Sequence, residues 1–527
     1  MVLYHTVSSD QHKLAKRAGV FTGATMLSRI LGYVRDSLVA NFFGAGLAAD
    51  AFYAAFRISN LFRRLLGEGA LSASFIPVFS EYAEKHGKEK TQRFFSVMFT
   101  TLLALLVALT ALGVMFAPQI TRVIAMGFER TPERFDLTVT LTRYMFPFLL
   151  FISLAALLTG VLNAFHSFFL PALAPAALSV VEIVYLLAVA PFVSPVQQVI
   201  GLAVSVAIGG FIQWVIQIPA LLKKGYRLMF GWDLRHEGVL RVEKLMLPAT
   251  IGISVDQLNA FVDTMIASFL QQGSVTALYY SNRVMQLPLA LFGIALSQVA
   301  LPAMSASVAR GDAVQIKDTL NFSLRLTLFM IIPAMAGLMF LGAPIVKVLF
   351  EHGQFTPEAT EMTSRAMLFF SLGLFAYAAV KILASAFYAH QNTRVPVAVA
   401  AVCVGLNIVL SLALMRRMGV GGLALATAVA SWVNAALLFY LLRRKIGLLG
   451  GRRILTCLLK ACAASLGMIG FCHLVMTARG PFHLIVRLAV AIAGGGLVYL
   501  GLARGLRMEE WGPFWSILSR AHPVEAD

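Results

Sequence analysis

The sequence predicts an all-α polytopic membrane protein. About 14 transmembrane helices are expected, as two six-helix repeat lobes around a central cavity plus two extra C-terminal helices. Three observations carry this. The 527 residues are 59% hydrophobic and 13% charged, with a mean hydropathy of +0.80, where a soluble chain carries about 25% charged residues. Apolar runs of about 20 residues, long enough to cross a bilayer as helices, recur with short breaks from end to end. The chain also resembles itself at an offset of about 220–228 residues, the mark of a duplicated unit.

Taken in order, the runs lie at 19–43, 50–77, 94–117, 139–164, 168–191, 197–222, 245–270, 275–302, 317–343, 363–388, 395–415, 420–442, 455–477 and 482–503. Lys13, Lys16 and Arg17 precede the first run. Charged residues follow too soon for a signal peptide, so an uncleaved first helix is expected. Gly44 to Gly46 break the first run from the second. Prolines 147, 171, 175, 248, 288, 302, 333 and 396 fall in or beside the runs, where they free backbone groups and bend helices. The segment 223–244, KKGYRLMFGWDLRHEGVLRVEK, is basic; it reads as a solvated loop, with an amphipathic helix on an anionic leaflet as the alternative. Loop Lys and Arg residues favour the side holding both termini by about three to one, which places both termini in the cytoplasm.

The repeat is visible in several places. DSLVANFFGAGLAADAFYAAFR at 36–57 resembles DTMIASFLQQGSVTALYYSNR at 263–283, and VLNAFHSFFLPALAPAAL at 161–178 resembles ILASAFYAHQNTRVPVAVAAV at 382–402. Six spans per copy give both copies one orientation, as in rocking transporters. The expected division is an N-terminal lobe at 1–222, a cytoplasmic basic linker at 223–244, a C-terminal lobe at 245–445, and helices 13–14 with a cytoplasmic tail at 446–527.

The first two runs hold Arg29, Arg35, Asp36, Asp50, Arg57, Arg63, Arg64 and Glu68. An Arg at the bilayer centre costs roughly 2.5–3.5 kcal/mol on the lenient insertion scale, so these side chains must face protein, water or ligand. On a helical wheel Asp50, Arg57, Arg64 and Glu68 share a stripe with Asn60 nearby, Arg29 lies over Asp36, and Arg35 and Arg63 fall off the stripes. Arg64 can pair with Glu68, and Asp36 or Asp50 with a neighbouring Arg, but the acids are too few for the cations. The surplus calls for an anion. Arg suits a diphosphate, because its planar fork binds oxygens in pairs and stays charged when desolvated. In the second copy Arg283 remains, beside Asn282 and Gln286, and Lys381 is a lone mid-helix cation. Asp256, Asn407, Ser411 and Thr427 offer oxygens for a monovalent cation, against the simpler reading of hydrogen bonds between helices.

Other classes are excluded. The formal net charge is +18, but no soluble module remains to bind nucleic acid. The four cysteines lie in apolar runs, so no metal site or disulfide framework is implied. The chain holds no GxSxG, HExxH or Walker A motif, and no acid cluster for a lipid-diphosphate enzyme. No cofactor is expected, beyond coupling to the membrane potential or a monovalent cation.

The runs SRILGYVRD, FGAG, DAFYAAFR, NLFRRLLGEGALSASFIPVFSEY and YYSNRVMQLP closely resemble the MurJ (MviN) family of bacterial lipid II flippases, within the multidrug/oligosaccharidyl-lipid/polysaccharide exporter superfamily. The resemblance covers essentially the whole chain. It implies transport of the undecaprenyl-diphosphate-linked peptidoglycan precursor from the inner to the outer leaflet of the cytoplasmic membrane. It also implies membrane lipids and the cell-wall synthesis machinery as partners, and helices 13 and 14 shaping a groove for the lipid tail. The family's charged cavity positions match Arg29, Arg35, Asp36, Asp50, Arg63, Arg64, Glu68 and Arg283. Asn282 and Gln286 stand where acids occur in some members, and Ser411 where a sodium-binding member has an acid. A flippase for another lipid-linked glycan, or a multidrug antiporter of the superfamily, is the alternative; an antiporter's cationic cargo would be repelled by the Arg cluster. A non-transporting scaffold would not need buried charge.

Overall fold

The computed structural model describes residues 2–64, 71–233, 235–478 and 483–519. Every one of the fourteen apolar runs lies on helix where it is described, and the described residues contain no strand. Among the described residues, ten helices are long and apolar enough to span a membrane, or eleven if one bent pair counts as a single span. The other three predicted spans, 19–43, 50–77 and 245–270, hold intramembrane charges or include residues outside the described ones.

The chain forms two compact units, Met1–Val275 with His352–Phe355, and Thr276–Glu351 with Thr356–Asp527. The division falls after Val275, later in the chain than the sequence boundary at 222–245. In the first unit, α1 (Val2–Phe43) ends at Gly44, φ +58°, where a Cβ would overlap the Gln354 carbonyl. The Gln354 N–H donates to the Asn41 carbonyl at 2.9 Å, so the glycine break seen in the sequence is also a docking point for 352–355. Then come α2 (Leu47–Phe62), α3 (Ser72–Lys85), α4 (Gly87–Met115) and the short α5 (Ala117–Ile124). One span divides at Phe146–Pro147 into α6 (Pro132–Met145) and α7 (Pro147–Ala164), because Pro147 offers no N–H to the preceding turn. After it follow α8 (Phe169–Leu173), α9 (Ala176–Ala188), α10 (Pro195–Val215), α11 (Ile218–Lys223) and α12 (Glu237–Ala267).

Residues 224–233, 235 and 236 form no helix. The linker is nevertheless more than a solvated loop. Arg227 N–H donates to Gln92 Oε1 at 2.9 Å, Gly231 N–H donates to Thr100 Oγ1 at 3.0 Å, and buried Tyr226 packs against Phe79, Phe95 and Phe165. Helix α12 begins at Glu237, earlier than predicted, and belongs to the first unit, where Arg241 reaches Glu81 at 2.7 Å and Ser268 Oγ accepts from Gly127 N–H at 2.9 Å.

In the second unit, α13 (Ser274–Pro288) passes through a π-helical turn at Leu289–Ile294 into α14 (Ala295–Ala309). Pro288 opens that turn, since its missing N–H breaks the regular ladder. Helix α15 (Ala313–Phe350) is followed by α16 (Pro357–Leu372) and α17 (Leu374–Ala389), bent by 41° at Gly373. Then α18 (Arg394–Met418) and α19 (Val420–Ile446) form a hairpin closed at Gly419, φ +58°. Lipid tails give helices little hydrophobic reason to associate, so close packing of small residues holds them. Gly422 illustrates this: a Cβ would lie 2.8 Å from the Leu414 carbonyl oxygen. Helices α20 (Gly451–Thr477) and α21 (Leu484–Gly505) pack on α15 through Phe329, Ala461, Ala464, Met468 and Tyr499, whose hydroxyl donates to the Phe329 carbonyl at 2.6 Å. A final helix, α22 (Trp511–Ser519), stacks Trp511 on Trp515.

Candidate functional site: charged helices of the first unit

Apolar helices bring Arg35 and Asp36 of α1 and Asp50 of α2 inside the first unit. Arg35 and Asp36 are both buried, and Arg35 donates to Asp36 Oδ1 through Nε at 3.0 Å and Nη2 at 2.6 Å. Glu182 of α9 lies 3.6 Å from the same guanidinium. Two acids on one buried Arg make a local structural knot joining α1 to α9, in keeping with the position of Arg35 off the polar stripe.

Asp50 is fully buried in the first turn of α2. It pairs with Arg134 of α6 and accepts from Gly273 N–H at 2.7 Å. The Arg134 guanidinium also stacks over Phe128 at 3.7 Å. Asp50 therefore ties α2 to α6 and to the turn before α13.

Beyond Asp50, the stripe is half-buried at Arg57 and Asn60 of α2 and at Arg64 on the turn that continues it. Arg57 Nε donates to Thr264 Oγ1 of α12 at 3.2 Å, and Arg63 Nε to Asn60 Oδ1 at 2.8 Å. Arg29 is exposed, and Glu68, the expected partner of Arg64, lies outside the described residues.

The second unit places its candidates separately. On α13, Gln286 Nε2 donates to Asn282 Oδ1 at 2.5 Å beside half-buried Arg283. Lys381 is half-buried on α17. Asn407 Oδ1 accepts from Ser411 Oγ at 3.4 Å and Thr427 Oγ1 at 3.3 Å, the pattern of helix–helix hydrogen bonding. The Asp256 side chain lies outside the described residues. Among the described residues, no three His, Cys, Asp or Glu side chains are grouped to hold a metal.

Two functional partners escaped sequence reasoning. Glu182 is the lone acid of a span from Phe169 to Phe192, and an isolated intramembrane acid is itself a signal. Arg134 reads as a loop residue beside Pro132, and nothing local marks it as the counter-ion of a residue 84 positions away.

A family model described as "Lipid II flippase MurJ" matches residues 39–490. The chain belongs to this family. A lipid II flippase MurJ from Burkholderia cenocepacia is 36% identical over 501 residues, 91% of this chain and 95% of its own. A probable lipid II flippase MurJ from Vibrio cholerae is 37% identical over 434 residues, covering 81% and 82%. A solved MurJ structure in an inward closed conformation superposes with a TM-score of 0.76 at 28% identity, covering 92% of this chain and 99% of the other. An inward-facing multidrug resistance transporter of the MATE family shares the fold, with a TM-score of 0.67 at 12% identity. As a MurJ-family member the chain is a multi-pass membrane transporter and not an enzyme.

Proposed function

We propose that the chain carries lipid II, the undecaprenyl-diphosphate-linked peptidoglycan precursor, from the inner to the outer leaflet of the bacterial cytoplasmic membrane, with both termini in the cytoplasm. The observation that carries the reading is the match to the flippase family over residues 39–490. Three guanidiniums, Arg57 on α2 and Arg63 and Arg64 on the turn that continues it, all half-buried, supply the chemistry. They are the kind of donor that grips a diphosphate while the isoprenoid stays in lipid, and Arg283 and Lys381 extend the same chemistry to the second repeat. Rocking of the two repeats would then present the head group on the other face.

The test is complementation in bacteria depleted of their own lipid II flippase, with outer-face accessibility of lipid II as the readout. Wild type should restore growth and accessibility, and Arg64→Ala or Arg283→Ala, present at normal membrane levels, should not. Failure of well-expressed wild type would transfer the assignment to another lipid-linked glycan; drug resistance in the same cells would transfer it to an antiporter.

A further inference from the structure

We propose that a cationic cavity where α20 enters the membrane binds a phosphate group, that of an anionic phospholipid headgroup or a free phosphate ion. The cavity measures about 170 Å³ and is lined by Arg325 of α15, by Arg452, Arg453 and Lys460 of α20, and by Glu509 and Glu510 beyond α21. Four cations against two carboxylates leave two positive charges.

The start of α20 adds to this. Gly450, φ +68°, precedes it without a side-chain cap, and its first turn holds no acid. The leading N–H groups of a helix carry partial positive charge and prefer an anion. Here Arg452 and Arg453 add two full positive charges where the dipole already opposes them, an arrangement an anion between them would relieve.

Arg325 forms the α15 wall of the same cavity. Its side chain is 13% exposed, and it pairs with Glu509 and, at 3.0 Å, with Glu510. Its Nε is nevertheless buried with no acceptor. Lys460 Nζ donates to the Arg507 carbonyl at 3.2 Å, which leaves its other protons available. The two carboxylates hold Arg325 in the wall and do not saturate the site. Beside the cavity, Leu455 and Leu459 of α20 are exposed on an apolar helix surface, where an acyl chain would lie next to its headgroup. Basic pockets between transmembrane helices at this level are suited to anionic lipid heads.

The test uses the full chain in detergent and counts tightly bound lipid by native mass spectrometry, with phosphatidylglycerol, phosphatidylcholine and inorganic phosphate as separate probes. Wild type should bind phosphatidylglycerol in preference to phosphatidylcholine. Arg452→Gln with Arg453→Gln should weaken that binding by about tenfold or more, the loss of charge-assisted bonds, and Lys460→Gln should weaken it as well. The control pair Arg416→Gln and Arg417→Gln, exposed at the end of α18, should leave it unchanged. Competition by phosphate alone at similar affinity would assign the site to the free ion. Equal binding of both lipids by wild type, undiminished affinity in Arg452→Gln/Arg453→Gln, or an equal loss in the control pair would overturn the proposal. Lys460→Gln keeps the test valid should the double variant fail to fold.

Discussion

Arg134 and Asp50 show what a buried ion pair demands. Both are nearly inaccessible, one stacked on Phe128 and the other also accepting from Gly273. Removing one partner leaves the other charged and buried, which typically costs about 3–5 kcal/mol, whereas removing both in favour of apolar side chains costs far less. Arg134→Met is therefore expected to lower the thermal unfolding midpoint in detergent sharply, and Arg134→Met with Asp50→Leu to recover part of the loss. If the single variant unfolds like wild type, the pair is not a structural tether. At this scale the sequence was only partly legible. Asp36 was expected to pair with a neighbouring Arg, and Arg35 is the one it meets. Asp50 was identified as a buried acid but not its partner, because the fold of α2 against α6 decides which cation arrives.

At the scale of elements the pattern was far more legible, since apolar length alone marks a membrane helix. The break at Gly44 was visible as a glycine cluster. What it docks was not, because Gln354 lies some 310 residues further on. Gly44→Ala places a side chain in the left-handed region and against the Gln354 carbonyl, costing about 1–3 kcal/mol; protease accessibility of 352–355 should rise. The start of α12 makes a second prediction. His236 Nδ1 caps that helix, accepting from Gly238 N–H at 3.2 Å, while its ring packs beside Tyr82 and Phe94. Burial pushes its pKa below the usual histidine value. The folded state therefore binds the proton less readily than the unfolded chain does. The stabilisation is complete above the unfolded pKa, near 6.5, and is lost as pH falls through the lowered folded value. Protonation also removes the cap, worth about 1 kcal/mol. His236→Asn keeps a capping acceptor that does not titrate, so its unfolding midpoint should fall less than that of wild type between pH 7 and pH 5. An identical acid profile in the variant would assign the acid sensitivity elsewhere.

For the whole molecule, the boundary of the first compact unit falls after Val275 because α12 packs with helices that precede it, a long-range arrangement that no local pattern marks. The functional reading carries a consequence at this scale. If cargo crosses with its net negative charge, an inside-negative potential drives it outward by about 2.3 kcal/mol per charge per 100 mV, on the order of fiftyfold in the leaflet ratio for one net charge. In liposomes containing the chain in one orientation, a potassium gradient with valinomycin sets that potential without changing any protein contact. Lipid II accessible on the outer face should rise when the inside is made negative and fall when the sign is reversed, and Arg64→Ala should abolish both responses together with transport. A leaflet ratio indifferent to the sign of the potential, in vesicles where the chain does transport, would mean that the charge moves compensated, by a co-transported cation or by protein cations that travel with it. Arg57, Arg63 and Arg64 would then act as mobile counter-charges instead of as a fixed anion trap.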